Sequence, residues 1–340
     1  MQATLKPDKI QALMSGLNEL LNPSKVDSFL ACAVGLHDIC QGSGPKTSLI
    51  HVRFKEDEPQ VESLAEFLWS QCMYYALPRK RRIKFEEALK NDFSIVARIH
   101  QAVRDVFIEL DANNEARASE VGEVLAYCIV QHYLAAPQVA AKMALKTSGN
   151  MPVHGLDGIH AVYAENALTV FFIESKISGS AAKGIAEYAK SASNFLANRK
   201  QYLREYEIVG DLGNLDSLSG EAREAALEYF DIFEQPQLPR RERYVGVVCH
   251  SDSKSYDNKI PVSDGPADAH EKNFAQVLKA KHPSRQAIAG KHIAGQGGNC
   301  SKSILFLVSV PNVNKLRRHF YKQMGLQVSD IEELNEGDEV

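Results

Sequence analysis

What the chain lacks narrows it first. No two of its six cysteines (Cys32, Cys40, Cys72, Cys128, Cys249, Cys300) stand in a C-x-x-C spacing, so neither a zinc site nor a thioredoxin-type pair is indicated. Several sit in apolar runs such as Val247-Val248-Cys249, as reduced buried thiols do. A reducing, cytoplasmic setting is the expectation. The longest apolar runs, such as Ile304 to Val310, fall far short of the ~20 residues that cross a bilayer, and no membrane is expected. Met1 to Pro7 shows no signal-peptide core. There is no G-x-x-x-x-G-K-[ST] phosphate loop; Gly290-Lys291-His292 and Gly295-Gln296-Gly297-Gly298 do not fit it. Internal repeats and low-complexity tracts are absent.

What is present is ordinary globular chain: 340 residues, 44% hydrophobic and 24% charged. That excludes a disordered tail protein, a collagen and a disulfide miniprotein, and suits one large domain or two medium ones. The net charge of −4 argues against a generic nucleic-acid binder, but it is an average. Residues 329–340 hold six acids and no base. Residues 240–325 hold 15 Lys/Arg against six Asp/Glu, and no carboxylate occurs between Asn273 and Gly325. A basic third suggests a polyanion surface, and the acidic end reads first as a solvated terminus.

Apolar spacing predicts helices over Asp8 to Leu21, Val61 to Ala76 (ended by Pro78), Ser119 to Ala135, Ala181 to Tyr206 and Glu221 to Phe233. Strands are expected at Ser48 to Phe54, Ile159 to Ala164, Leu168 to Ser175, Tyr244 to His250 and Ile304 to Val310. Glu165-Asn166-Ala167 is expected to be a tight hairpin turn. Arg79-Lys80-Arg81-Arg82-Ile83-Lys84 is either a phosphate contact or a solvated helix start.

An acid, any residue, then lysine occurs three times, at Glu174/Lys176, Asp252/Lys254 and Asp257/Lys259, about the number chance supplies. Context separates them. The last two lie in a polar loop-like stretch, whereas Glu174 ends the apolar run Leu168 to Ile173. Residues i and i+2 of a strand share a face, so Glu174 and Lys176 project together beside a core. A plain cross-strand ion pair is the simplest alternative. Asp157, between Gly155 and Gly158, lies one hairpin upstream. It can be a turn aspartate. Pairing centred on Asn166 would set it about opposite Ser175, near Glu174. Two carboxylates that close call for a cation, and hard oxygen ligands suit Mg²⁺ or Mn²⁺. Glu123 or Glu120, sharing a face of the helix after Ser119, can supply a third; both also favour the helix dipole. Glu123 is preferred because Gly122 lets that helix approach the sheet. His154, Asp157 and His160 have spacing that mimics a metal site, but one histidine near DNA and one structural is the expectation.

Gly122-Glu123 in a helix, then Gly155-x-Asp157-Gly158, then Glu174-x-Lys176 ending a strand, then another helix, resembles the PD-(D/E)xK nuclease superfamily over roughly residues 105–250. Over most of the chain the sequence also resembles the HamA family, nuclease subunits of the Hachiman antiphage defence system. One departure is Leu156, where the superfamily pattern has proline. The resemblance implies a restriction-endonuclease-like α/β fold, a mixed sheet flanked by helices with an N-terminal α/β extension. It implies DNA phosphodiester hydrolysis in which Asp157 and Glu174 hold one or two Mg²⁺ (or Mn²⁺). The Ser175 carbonyl would be a further ligand, Glu123 would complete the metal shell, and Lys176 would position water or phosphoryl charge. It also implies a superfamily-2 helicase partner (HamB-like), consistent with the missing phosphate loop.

The expected division is residues 1–105 as an N-terminal region for partner docking or DNA, 106–325 as the nuclease domain with its basic part, and 326–340 as an acidic tail. Lys183 and Lys190 on the helix after the motif are candidate DNA contacts, and so is the stretch from Lys279 to Lys302, where Lys279, Lys281, Lys291 and Lys302 with flexible backbone amides around Gly295, Gly297 and Gly298 could follow a phosphate chain. Lys315, Arg317, Arg318 and Lys322 form a basic helix face for DNA or an acidic partner. Two other readings stay open: a catalytically inert DNA-binding adaptor, and a restriction or repair nuclease outside antiphage defence.

Overall fold

The computed structural model describes residues 7–22, 24–37, 44–108, 120–145, 155–212, 214–218, 220–231, 240–257 and 268–325. Cys40, Ser119, His154 and the acidic tail lie outside them, so the expectations placed on those residues are not addressed.

The frame is a seven-stranded mixed sheet. Its strands are β1 (Leu30–Val34), β2 (Lys46–Val52), β5 (Gln138–Ala140), β6 (Gly158–Ala164), β7 (Ala167–Ser178), β8 (Arg240–Ser251) and β9 (Ser303–Val310), in the order β1-β2-β9-β8-β7-β6-β5. The short strands β3 (Phe54–Lys55) and β4 (Glu58–Pro59) pair separately. Strands β2, β9, β8 and β7 run parallel; β1 pairs antiparallel to β2 at one edge, and at the other β6 is antiparallel to β7 and β5 to β6. A parallel centre must be covered on both faces, which explains why every residue of β9 is buried. Residues before 105 supply β1 and β2, which join β9 from the far end of the chain, and Ile50 and Phe306 share one core.

One face of the sheet carries α5 (Glu120–Leu134), α2 (Val61–Ala76) and α12 (Val313–Gln323). The other carries α6 (Ala181–Ala197), α10 (Ala269–Ala280) and α11 (His282–Gly295), extended over β6 by α1 (Pro7–Leu20), α7 (Arg199–Leu212) and α8 (Gly220–Phe230). Helices α3 (Arg79–Leu89), α4 (Ile95–Ile108) and α9 (Ser253–Asp257) complete the set among the described residues. Each covering helix spends an apolar stripe on the sheet; in α6 it is Ile185, Tyr188 and Ala189, and Ser180 caps the start by accepting from Lys183 N at 3.3 Å. Gly122 lets α5 sit against β7: a Cβ there would meet Ile177 Cγ1 at 2.9 Å.

Three expectations change. The predicted helix Ala181 to Tyr206 is two helices, because Asn198 leaves the helical region (φ −98°, ψ 85°) and its side chain accepts from Gln201 N at 3.1 Å, capping the next. The stretch from Lys279 to Lys302 is mostly helix, so the amides of α11 are spent internally rather than free to follow phosphates. The hairpin turn has two residues, not three. Glu165 (φ 51°) and Asn166 (φ 56°) are both left-handed, as a type I′ turn requires, and Ala164 pairs with Ala167. The ladder ends at Gly158↔Ile173, where the Asp157 N–H also bonds the Ile173 carbonyl at 2.8 Å, and the Asp157 side chain meets Ser175 as expected.

Candidate active site

Strand β7 outruns its neighbour. β6 pairs as far as Gly158↔Ile173, and the Asp157 N–H adds a last bond to the Ile173 carbonyl at 2.8 Å. Beyond that point no strand among the described residues lies beside this edge of β7. The Asp157 side chain takes over: its Oδ2 accepts from the Ser175 N–H at 2.7 Å and the Ser175 hydroxyl at 2.6 Å. A backbone donor that would otherwise be orphaned is thereby satisfied, and the carboxylate is fixed at the strand end.

On β7 the side chains alternate. Ser175 and Ile177 lie against α5, while Ser178 lies against Gly184 of α6. Glu174 and Lys176 therefore share the α6 face, as their spacing predicts. They form an ion pair of 2.5 Å, with the Glu174 side chain 9% exposed and that of Lys176 25%. Burial pushes the Glu174 carboxyl up and the Asp157 charge pushes it further; Lys176 and the Ser191 hydroxyl pull back, and it settles at about 7. Burial acts to lower the Lys176 ammonium, but Glu174 and Asp157 outweigh it, so its pKa lies above the usual lysine value.

Asp157 and Glu174 together offer two hard oxygen donors whose mutual repulsion can be relieved by a proton or a cation. That chemistry fits Mg²⁺ or Mn²⁺, which take few protein carboxylates and keep several waters. The third carboxylate is arranged otherwise. Glu123, buried, accepts a hydrogen bond from the Tyr75 phenol, and Glu120, also buried, accepts one from Tyr321. Burial raises Tyr75 well above its ordinary value, with Glu123 and then Asp157 adding to it, so Tyr75 stands between these two carboxylates electrostatically. Among the described residues no three His, Cys, Asp or Glu converge into a ready cation site.

The remaining candidates separate. Lys183 and Lys190 are exposed on α6, one side of the sheet with Glu174. Lys279, Lys291 and Lys302 are exposed as well. Lys281 has an internal use: it bonds Asp252 at 2.8 Å and the Ser255 hydroxyl at 2.5 Å. His160 is buried, with Nδ1 2.8 Å from the Ala136 carbonyl and a pKa lowered to about 4 by burial, which suits the structural role. No described helix is long and apolar enough to cross a membrane. Tyr75, Ser191 and the buried pair Lys142–Glu205 were not foreseen. Tyr75 sits in an apolar helix and reads as core, and nothing in the local pattern marks its phenol.

Compared with known proteins, the chain is matched by the model of one family, described as HamA, over residues 27–324. No curated protein matches it. The chain belongs to the HamA family and so to the components of Hachiman antiphage defence.

Proposed function

We propose that this chain is a metal-dependent DNA nuclease of PD-(D/E)xK type, the effector subunit of its defence system, held in check by a superfamily-2 helicase partner. The observation that carries the reading is the charged cluster near the end of a mostly apolar strand: Glu174 and Lys176 side by side, with Asp157 held on Ser175 between them. Burying those charges costs free energy that a purely structural strand end would not spend.

Asp157, Glu174 and the Ser175 carbonyl would hold Mg²⁺ or Mn²⁺. Such a cation supplies polarisation of the phosphate and a more acidic bound water. The chain's own residues do the rest. Ser175 holds Asp157 in one orientation through two hydrogen bonds. Lys176, whose ammonium is kept charged by its neighbours, donates to a phosphoryl oxygen and orients the attacking water. The pair Tyr75–Glu123 backs this end of the sheet from the α5 side. Lys183 and Lys190 would run along the phosphate backbone.

Purified protein tests the reading on plasmid DNA, with Mg²⁺ or EDTA, with and without the helicase partner, against Glu174→Ala and Lys176→Ala. Cutting that needs the metal and is lost in both variants is expected. One observation favours the inert adaptor instead, the lack of three converged ligand groups among the described residues. That reading predicts DNA binding without cutting under any metal, unchanged in Glu174→Ala.

A further inference from the structure

Beneath the Asp157 loop lies a buried ion pair that the proposed chemistry does not use. Lys142 follows the edge strand β5, and Glu205 comes from α7. Their side chains are 2% and 1% exposed, and Nζ stands 2.7 Å from Oε1. Two buried charges are an expensive way to fill space, since an apolar pair of equal size commonly gives as much stability.

Their contacts show what the charges hold. Lys142 Nζ also donates to the Leu156 carbonyl, one residue before Asp157. Gly155 packs so closely on the pair that a Cβ there would lie 2.0 Å from Glu205 Oε1 and 2.9 Å from Lys142 Nζ. The pair therefore grips two consecutive residues of the segment that delivers Asp157. Glu205 also feels that carboxylate: burial pushes its carboxyl up, Lys142 pulls it back, and the Asp157 charge adds to the rise.

We propose that Lys142 and Glu205 are positioning residues: the buried pair clamps Gly155-Leu156 and so sets where the Asp157 carboxylate meets Ser175. Its consequence for cation binding rests on the nuclease reading above; the clamp itself does not. Residues that orient a ligand from behind typically change metal affinity by about 10–100-fold when removed.

The test is made on metal-free protein by amide hydrogen exchange read residue by residue, followed by calorimetric titration with Mn²⁺. In Lys142→Met/Glu205→Gln both charges go together, so no lone buried charge remains. The Ser175 amide, which donates to Asp157 Oδ2, is expected to exchange at least about 10-fold faster, while Val170 in the middle of β7 keeps its protection. Mn²⁺ affinity is expected to fall by about 10-fold or more. Gly155→Ala, which crowds the clamp without removing a charge, serves if the double variant does not fold and is expected to loosen the same amide. Ser175 exchange within about twofold of wild type in a folded variant overturns the proposal. A wild-type chain that takes up no Mn²⁺, with Ser175 still loosened in the variants, overturns the nuclease reading and leaves the clamp standing.

Discussion

Strands β7 and β9 sit in the same sheet, both with a strand on either side and helices over both faces, yet they are composed differently. β9, Ser303–Val310, is buried throughout and carries no charge. β7 is nearly as buried but carries Glu174 and Lys176 near its end. Burial of apolar surface is sufficient reason for β9, at about 25 cal/mol per Å². It cannot explain β7, where the same environment holds a carboxylate at about 7, displaced by burial and by Asp157. One strand is built for stability, and the other gives some of it up for a polar strand end.

The largest effect that sharpens this contrast is on chemistry. Glu174→Ala and Lys176→Ala are each expected to lower plasmid cutting by about 10³-fold or more, in quantitative gel assays with Mg²⁺. Phe306→Ala in β9, fully buried, should leave the rate per folded molecule unchanged. A Phe306→Ala protein that stays folded but cuts slowly would break the comparison.

In stability the order reverses. Phe306→Ala should cost about 3–5 kcal/mol in urea melts. Glu174→Gln in EDTA at pH 8 should instead stabilise, by about 3 kcal/mol at most, because it removes a carboxylate that the folded state prefers protonated. Destabilisation by Glu174→Gln would contradict the assigned repulsion.

The pH dependence separates the two strands' surroundings further. A carboxyl raised from 4.5 to about 7 on folding binds its proton more tightly when folded, so its contribution is present in acid and lost as pH rises through that window. His51 of β2 and His250 of β8 are lowered by burial from 6.5 to about 4, so they act in the opposite direction: their contribution is present above pH 6.5 and lost as pH falls toward 4. Metal-free wild type should therefore show a flattened profile between pH 4.5 and 7, and Glu174→Gln should fall monotonically with acid. The smallest effect expected is from Gly122→Ala, about 1–2 kcal/mol, since its Cβ would press on Ile177 at 2.9 Å and displace α5 from β7.

Much of this was legible beforehand. Helix α2 spans the predicted residues, β6 and β9 begin within one residue of expectation, and α5 runs where its apolar spacing put it. Glu174 and Lys176 share a face because the strand period requires it. The misreadings were of local punctuation. Asn198 serves two helices at once, and the hairpin turn is shorter by one residue, though Asp157 still meets Ser175 through its side chain. Ser175, expected to offer its carbonyl, also proved to hold Asp157 through its N–H and hydroxyl.

The sequence by itself determined the elements and the alternation that puts an acid and a lysine side by side, because both follow from backbone period and apolar spacing within a dozen residues. Only the tertiary structure decided that β2 from the first third of the chain completes the sheet beside β9. It alone decided that Tyr75 meets Glu123 across 48 positions, and that Lys142 meets Glu205 across 63 beneath the Asp157 loop. Such contacts depend on how whole helices and strands pack, and no local pattern encodes which distant side chain will fill the space beside a buried charge.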